Sequence, residues 1–268
     1  MKYIIGIDGG GTKTKGYLGN SDGKIIASST SGPSNYHSVG IDKSKRSIEH
    51  VLNALCSKGN IEINDIELIS LGLAGIDREE DKKTILEVIE GIGIRGKVIL
   101  VNDALTALMG AHGREYGIIT ISGTGSISYG SDIKGNTFRA GGWGHIIDDE
   151  GSGYDIGRQA LSTIFKAYDM REKKTILTEM VLKHLNLKEV EELISYIYCK
   201  EITKEHIAKI SPVVFQAAYR KDAVALSILN KAVDSLVHMT ETVIANLCFD
   251  KQAIKIAIDG GVLTGEEY

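Results

Sequence analysis

One pattern of short strands and glycine turns occurs twice in this chain, and the repetition limits the possible folds more than any other feature. The first copy has three predicted strands, at Tyr3–Asp8, Lys13–Leu18 and Ile25–Ser29. The second copy has three more, at Gly117–Ser122, Ser126–Tyr129 and Asn136–Ala140. Two such copies predict duplicated α/β domains that face each other across a cleft. The alternative is coincidence, because β-hairpins with glycine turns are common.

Alternating helices and strands are predicted between and after the two copies. The segments between the copies are Asp42–Lys58, Leu68–Gly72, Glu79–Glu90, Lys97–Val101 and Ala104–Ala111. Glycines are dense up to Gly157 and sparse afterwards until Gly260, and this later part is largely helical, with predicted segments at Gly157–Ala167, Lys188–Ile197, Ala223–Leu247 and, as a strand, Ile254–Ile258. We therefore expect an N-terminal domain over residues 1–115 and a C-terminal domain with a helical part over residues 116–268.

Composition and charge exclude several classes of protein. A net charge of -4 argues against a surface that tracks nucleic-acid phosphates. Cys56, Cys199 and Cys248 are far apart and lack metal-ligand spacing, which predicts reduced thiols. The apolar start Met1–Ile7 is interrupted by Asp8, and no apolar run approaches the length of a membrane span. The sequence therefore predicts a soluble, cytoplasmic protein without nucleic-acid or membrane partners.

Two clusters of glycine, threonine and serine stand where predicted strands turn, at Asp8–Thr12 and Ser122–Ser126. Glycines let backbone N–H groups approach an anion, and the hydroxyls add donors. Asp8 is a natural partner for a Mg²⁺ ion that keeps most of its waters. Each cluster alone is equally well explained as a hairpin turn that needs positive φ. Two clusters at equivalent places in a duplication favour a nucleotide held between them, although the chain has no Walker A motif.

Asp103 directly follows the apolar strand Val98–Val101 and stands at the start of a predicted helix. One interpretation is an N-cap without catalytic duty, because aspartate is a preferred capping residue. The other is a carboxylate at the carboxyl end of a strand, where open α/β sheets place ligands and where it could accept the proton of an attacking hydroxyl. Position alone leaves both interpretations open.

The stretch Gly141–Ser152 holds the chain's one tryptophan, Trp143, between glycines, followed by three successive carboxylates at 148–150. Sugar sites combine an aromatic wall with carboxylates that accept hydrogen bonds from hydroxyls. The alternative is an acidic helix N-terminus with a core tryptophan. His145 is interpreted as a structural histidine, because no second His or Cys lies at metal spacing.

Together, these residues resemble the N-acetylglucosamine kinase family and the related BadF-type ATPases, within the sugar kinase/actin/chaperone ATPase superfamily. The resemblance covers essentially the whole chain and rests on the order of seven motifs: Gly6–Thr14, Pro33–Asn35, Asn102–Ala104, Ile121–Ser126, Gly141–His145, Asp149–Ser152 and Asp259–Val262. It implies duplicated RNase H-like (actin-like ATPase) domains with an interdomain cleft. It also implies an ATP- and Mg²⁺-dependent kinase acting on the 6-hydroxyl of an amino sugar, above all N-acetylglucosamine, with N-acetylmuramic acid or glucosamine as further acceptors.

The resemblance also implies roles for individual residues. Asp8 would orient Mg²⁺ through water, and Asp103 would be the catalytic base toward the sugar hydroxyl. The residues implied to bind ATP are Gly9, Gly10, Gly11, Thr12, Lys13, Thr124, Gly125, Gly260 and Gly261. The residues implied to line the sugar site are Asn35, Asp103, Ser126, Gly142, Trp143 and Asp149.

The chain ends at Tyr268, soon after Asp259–Val262, so the resemblance implies a C-terminal domain that is short at its end. A homodimer is compatible with the resemblance. One alternative function is a BadF-type ATPase that activates a partner dehydratase through a cysteine-held iron–sulfur cluster, which the isolated cysteines do not favour. A non-catalytic sugar or nucleotide sensor is disfavoured by the intact Asp103 and phosphate loop. A filament-forming actin relative would have no use for the segment Trp143–Asp149.

Overall fold

A computed structural model of the chain describes residues 3–76, 78–94, 96–249 and 254–265. The chain forms two units, of which the first ends at Gly110 and the second begins at Ala111. Each unit is built around a sheet of its own. Within the described ranges, no helix is both long and apolar enough to cross a membrane.

The strands of the first unit are β1 (Tyr3–Gly9), β2 (Thr14–Asn20), β3 (Ile25–Ser31), β4 (Ile66–Leu73) and β5 (Lys97–Asn102). They form a five-stranded sheet with the order β3-β2-β1-β4-β5. The first three strands are an antiparallel meander, whereas β4 and β5 run parallel to β1. In this register Gly9 pairs with Leu73, and Leu73 pairs with Asn102. The three parallel strands therefore end level at one edge of the sheet.

The helices that begin in the first unit are α1 (Tyr36–Val39), α2 (Ile41–Gly59), α3 (Glu79–Glu90) and α4 (Asp103–His112). Ile48, Leu52 and Leu55 recur at helical spacing in α2 and are fully buried. They share one core cluster with Ile5 and Leu18 of the sheet. The apolar stripe of α2 therefore holds this helix on the antiparallel part of the sheet.

The strands of the second unit are β6 (Gly117–Ser122), β7 (Ser126–Ser131), β8 (Thr137–Gly141) and β9 (Ile256–Asp259). Their order is β8-β7-β6-β9, with an antiparallel meander extended by the parallel strand β9. The first four strands of the first unit have the same order and directions. The duplication predicted from the glycine-turn pattern is therefore confirmed.

The helices of the second unit are α5 (Gly153–Tyr168), α6 (Leu177–His184), α7 (Glu192–Ile197), α8 (Lys204–Ala208), α9 (Ser211–Tyr219), α10 (Ala223–Ala245) and α11 (Gly261–Thr264). Ile156 and Ile164 of α5, Val214 of α9 and Ile228 of α10 are buried in one cluster. All but α11 of these helices lie between β8 and β9 in the chain, so the helical part is an insertion before the parallel strand.

Two helices begin four residues away from the start that the pattern predicts. The helix predicted from Gly157 begins at Gly153, because the Ser152 side chain caps it by accepting a hydrogen bond from the first turn. The helix predicted from Lys188 begins at Glu192, because the Glu192 carboxylate accepts a hydrogen bond from Lys188 N (2.7 Å) and holds the preceding residues in a turn. The helices α6 and α9 lie in the part predicted only as largely helical.

Candidate functional site

The carboxyl edge of the first sheet gathers two of the predicted carboxylates. Asp8 is the penultimate residue of β1 and is exposed. Asp103 follows Asn102, the last residue of β5, and is half-buried. Because β1, β4 and β5 end level, both carboxylates belong to the same edge. This is the edge at which open α/β sheets bind ligands.

The first glycine turn, residues 10–13, is held mainly through its carbonyl groups. Gly10 O accepts hydrogen bonds from Ser34 N (3.1 Å) and Asn35 N (3.2 Å), and Gly10 N donates to Lys13 O (3.0 Å). A Cβ atom at Gly9 would lie 2.2 Å from Ser34 Oγ, so the backbone passes too close for any larger residue. The turn is therefore fixed without the use of all its amides.

The donors of this turn remain available. Among the described residues, the amides of Gly11 and Thr12 and the Thr12 hydroxyl have no hydrogen-bond partner. Lys13 is exposed at the end of the turn. Unpartnered backbone N–H groups beside glycines form the concave donor set that binds phosphate. The turn therefore fits the phosphate groups of a nucleotide.

Asn35 lies directly behind this turn as the N-cap of α1. Its Oδ1 atom accepts a hydrogen bond from His37 N (3.1 Å), and a Cβ atom at Gly75 would lie 3.0 Å from that oxygen. Within the described part of the chain, the side-chain NH₂ group of Asn35 has no partner. The capping bond thus fixes the side chain and leaves its donor group for a ligand.

Asp103 is the first residue of α4 and not the residue before it. Ala104 N donates to Asn102 Oδ1 (2.7 Å) as well as to Asp103 Oδ1 (2.9 Å). Asn102 therefore shares in capping the helix, and the capping requirement alone does not account for an aspartate at position 103.

The second glycine turn, Gly123–Gly125, also keeps free donors. Gly123 N donates to Gly125 O (3.0 Å), and Gly123 has open space where a Cβ atom would be. In the described ranges, the amides of Thr124 and Gly125 and the Thr124 hydroxyl have no partner. This turn matches the first one in its chemistry, since both offer amides and a threonine hydroxyl.

The start of α5 holds the second glycine turn through two backbone hydrogen bonds. Gly153 N donates to Gly123 O (2.8 Å), and Tyr154 N donates to Thr124 O (3.3 Å). The Ser126 hydroxyl is buried and donates to Glu150 O (2.7 Å). The predicted sugar residue Ser126 thus has its hydroxyl proton engaged in holding the loop, which leaves its lone pairs as the group that a ligand could use.

Gly260 lies in the motif Asp259–Val262, which the resemblance assigns to ATP binding, and packs this turn against the second glycine turn. It has φ +89°, and a Cβ atom there would lie 2.3 Å from Ser122 O and 2.9 Å from Gly123 N. Only glycine allows this contact, because both neighbours are backbone atoms. Gly261 begins α11 directly afterwards.

Asp149 lies against the same turn. Asp149 is 5% exposed and has a left-handed φ of 59°. A Cβ atom at Gly125 would lie 2.9 Å from Asp149 Oδ2. Burial raises the pKa of the Asp149 carboxyl above its usual value, and the nearby Lys204 charge opposes that shift. Such a carboxylate gains from a ligand that donates hydrogen bonds to it.

Trp143 is an exposed residue, so the interpretation as a core tryptophan is wrong. Its side chain is 64% exposed, and the guanidinium group of Arg139 lies 3.9 Å from the ring centroid. Trp143 N donates to Asp148 Oδ2 (3.0 Å), which fixes the backbone of the loop. Gly142 lies close to Ile127 of β7, because a Cβ atom added at Gly142 would lie 2.9 Å from Ile127 Cδ1. The ring is thus held at the surface with one face covered.

His145 has the structural role that the sequence favours. Its ring makes an edge-to-face contact with Tyr154 at 4.9 Å between centroids. Sequence reasoning missed Arg139 and Lys204, which stack on Trp143 and act on Asp149 respectively. The only sequence signal for Arg139 is its position four residues before the tryptophan. Lys204 is 55 residues beyond Asp149 and has no local signal.

The sheet order, the two glycine turns and the parallel strand in each unit define the actin-like ATPase fold. The chain belongs to the BadF/BadG/BcrA/BcrD ATPase family, whose profile matches residues 5–268. It is 41% identical over 268 residues to an N-acetylmuramic acid/N-acetylglucosamine kinase of Clostridium acetobutylicum. The match covers 100% of this chain and 88% of the relative.

One further relative is similar to this chain in sequence, and one solved structure is similar to it in fold. An N-acetyl-D-glucosamine kinase of Dictyostelium discoideum is 39% identical over 261 residues, covering 94% of this chain and 82% of the relative. A solved structure from Chromobacterium violaceum, provisionally assigned as an N-acetylglucosamine kinase, has a TM-score of 0.83 at 30% identity. That match covers 98% of this chain and 88% of the other.

Proposed function

We propose that this chain is an ATP-dependent kinase that phosphorylates the 6-hydroxyl of an amino sugar, with N-acetylglucosamine as the preferred acceptor and N-acetylmuramic acid or glucosamine as further acceptors. One observation carries the proposal. A single edge of the first sheet holds the carboxylates of Asp8 and Asp103 together with donors that have no partner among the described residues, namely the amides of Gly11 and Thr12 and the side-chain amide of Asn35. Phosphoryl transfer to an alcohol needs phosphate donors, a metal-binding carboxylate, an acceptor clamp and a base.

The residues proposed to hold ATP are the glycine turns and the turn packed on the second of them. The phosphates would be bound by Gly9, Gly10, Gly11, Thr12, Lys13, Thr124 and Gly125, and adenosine by Gly260 and Gly261. Asp8 would hold Mg²⁺ through water molecules, which suits an exposed carboxylate. When bound, Mg-ATP supplies the electrophilic phosphoryl group and a cation that neutralises its developing charge.

Asp103 would act as general base in this reaction. Its carboxylate would accept the proton of the sugar hydroxyl while the new oxygen–phosphorus bond forms. The position of Asp103 at the carboxyl edge, next to an asparagine that shares in the capping of α4, supports this role.

The acceptor sugar would be held by groups that complement its hydroxyls and its apolar face. The free NH₂ group of Asn35 would donate to the sugar, and Asp149 would accept from a hydroxyl. Because Arg139 covers one face of the Trp143 ring, the other face is the one proposed to stack on the sugar. Ser126 and Gly142 would complete this lining.

A cytoplasmic location and a homodimer are part of the proposal. Free thiols at Cys56, Cys199 and Cys248 are typical of a reducing compartment. Ile146 and Ile147 are 84% and 80% exposed, and such neighbouring apolar side chains mark surfaces that associate.

ADP release with Mg-ATP tests the proposed reaction, using N-acetylglucosamine, N-acetylmuramic acid, glucosamine and glucose as acceptors. We expect sugar-dependent release with the N-acetylated sugars. Asp103→Asn should lower kcat by about 10²–10⁴-fold, because it removes the general base. Calorimetry should find that the same variant binds the sugar nearly as the unchanged protein does.

Undiminished turnover by Asp103→Asn would refute the role of the base. No sugar-dependent ADP release by the unchanged protein would refute the kinase, and iron in that preparation would indicate the dehydratase-activating function. Gel filtration of the same preparation tests the homodimer against the monomer mass of 29.0 kDa.

A further inference from the structure

We propose that Asp81, a residue with no role in the reaction proposed above, positions Asn35 for the acceptor and thereby sets the affinity for the sugar. The inference rests on the proposed function, because Asn35 is assigned to the acceptor there. Asp81 belongs to α3 and is 3% exposed. A buried carboxylate requires several donors, and the identity of these donors shows what it holds in place.

Both oxygens of Asp81 accept from Arg78, but only Oδ1 also reaches α1. Oδ2 accepts hydrogen bonds from Arg78 N (3.1 Å) and Arg78 Nε (3.0 Å), which caps the start of α3. Oδ1 accepts from the Tyr36 hydroxyl, and His37 Nε2 lies 3.2 Å from it. The guanidinium NH2 of Arg78 also donates to Oδ1 (3.0 Å). One carboxylate thus joins α3 to the first two residues of α1.

The α1 segment depends on such an external anchor. It has only four residues, and none of them is buried. One helical turn is unstable alone, because it fixes several dihedral angles for very few hydrogen bonds. Asn35 caps this turn, so the orientation of its side chain follows the orientation of α1. Asn35 N bonds α1 to the first glycine turn at Gly10 O, and Tyr36 and His37 are the residues that join it to α3.

A second contact links the same segment to the loop after β4. His37 Nε2 lies 3.1 Å from Gly75 O, and the Tyr36 and His37 rings lie 4.1 Å apart between centroids. Gly75 has φ +81°, and a Cβ atom there would lie 3.0 Å from Asn35 Oδ1. The loop at Gly75 therefore lies against Asn35, while Asp81 and Gly75 O hold the two residues that follow Asn35.

The charge states suit a permanent anchor. Arg78 holds the pKa of the Asp81 carboxyl well below its usual range, so the group is ionised at neutral pH. Burial, followed by the bond to Asp81, raises the pKa of Tyr36 to about 12, so its hydroxyl stays a donor. Asp81 is therefore an acceptor and Tyr36 a donor at neutral pH, as the hydrogen bond between them requires.

A merely structural role for Asp81 is the competing explanation, because it also caps α3. Tyr36→Phe separates the two roles, since it removes one bond to Oδ1 and leaves both Arg78 bonds to Oδ2 in place. Asp81→Asn disrupts both sides, because its NH₂ group must face donors at one of the two positions.

Asp132→Asn is the matched control. Asp132 is 2% exposed in the second unit and accepts hydrogen bonds from Lys134 N and Asn136 N, each at 2.9 Å. It organises the β7–β8 turn and belongs to no proposed site. The same substitution there lowers stability without any contact to α1.

The experiment measures the KM for N-acetylglucosamine, the KM for ATP, kcat, and hydrogen exchange of the amides at 35–40. We expect Asp81→Asn to raise the sugar KM about tenfold and Tyr36→Phe about threefold, with the KM for ATP and kcat within about twofold. Exchange at 35–40 should accelerate in both variants and not in Asp132→Asn. These results together would support the positioning role.

Unchanged sugar KM and unchanged exchange in Tyr36→Phe would overturn the inference, as would equal changes in Asp132→Asn. If the unchanged protein turns over no amino sugar, the proposed function fails by itself. Hydrogen exchange then still decides whether Asp81 holds Asn35, because it does not depend on turnover.

Discussion

In both units the second strand of the hairpin begins with a buried hydroxyl that donates a hydrogen bond to the loop behind the third strand. Thr14 Oγ1 donates to Gly32 O (2.7 Å) in the first unit, and Ser126 Oγ donates to Glu150 O (2.7 Å) in the second. The loops that receive these bonds differ. The first leads within three residues to Asn35, whereas the second is the long stretch that contains Asp149.

The supports of the two glycine turns differ as well. In the first turn Gly10 O accepts from the amides at 34 and 35 in the loop before α1. In the second turn Gly123 O and Thr124 O accept from the amides at 153 and 154 at the start of α5. The first amides of a helix usually lack partners and are available to anions. In α5 two of them are occupied by the turn, so the turn's own amides are the donors left for a ligand. The two units thus present similar donors on different supports.

The largest effect on stability is expected where the second turn is most crowded. Gly260→Ala should lower the free energy of unfolding by about 3 kcal/mol, because it combines a left-handed φ with a Cβ atom 2.3 Å from Ser122 O. Urea unfolding measures the change. Gly265→Ala is the control, since Gly265 has φ +71° and no atom of the described residues lies within 4 Å of the added Cβ, so the strain of about 1 kcal/mol is the expected effect.

Equal losses at Gly260 and Gly265 would mean that close packing on the second turn contributes nothing. The shape of the turn at Asp259–Val262 would then depend on backbone conformation alone. A larger loss at Gly260 would show that close packing of this turn on the hairpin adds to the stability of the fold.

The strand pattern could be predicted because it depends on neighbours in the sequence. Glycine turns and alternating apolar residues gave both ends of β6 and the start of β1 and β3. The same signals predicted the duplication. Asn35 and Asp149, which the resemblance assigns to the sugar site, lie beside the first and the second glycine turn respectively.

The rest depends on contacts between distant parts of the chain. Tyr36 reaches Asp81 across 45 residues, and no local pattern distinguishes this pair from an exposed tyrosine and a helix cap. The exposure of Trp143 is likewise a tertiary property, which is why a core position remained possible from the sequence. The start of α7 depends on the Glu192 carboxylate, which accepts hydrogen bonds from Lys188 N and Glu189 N, and hydrophobic periodicity does not contain this contact.

An intermediate effect is expected from the shared hydroxyl bonds. Thr14→Val and Ser126→Ala should each lower the free energy of unfolding by about 1–2 kcal/mol, because each leaves a loop carbonyl without its donor. Urea unfolding of the two variants measures this. Losses that differ by more than about 1 kcal/mol would contradict the view that the bond is one device used twice.

The smallest effect is expected from the charge of Asp149. Its pKa is raised by burial, so between the ordinary value of 3.8 and that raised value the folded chain binds more protons than the unfolded chain. Stability therefore falls as pH rises through this window, and the loss persists at neutral pH. Asp149→Asn should be more stable than the unchanged protein at pH 7, with the difference vanishing below about pH 4.

Asp132→Asn sharpens this test, because the hydrogen bond from Asn136 and further backbone bonds lower the pKa of Asp132. Its charge stabilises the fold above the ordinary pKa of 3.8, and this contribution is lost as pH falls through the lowered value, so removing the charge should destabilise the protein at pH 7. Urea unfolding between pH 3 and pH 7 compares the two variants. Changes of the same sign would refute the assignment of a destabilising buried charge to Asp149. Opposite signs, together with lost sugar binding in Asp149→Asn, would mean that stability is given up at this position in favour of the acceptor.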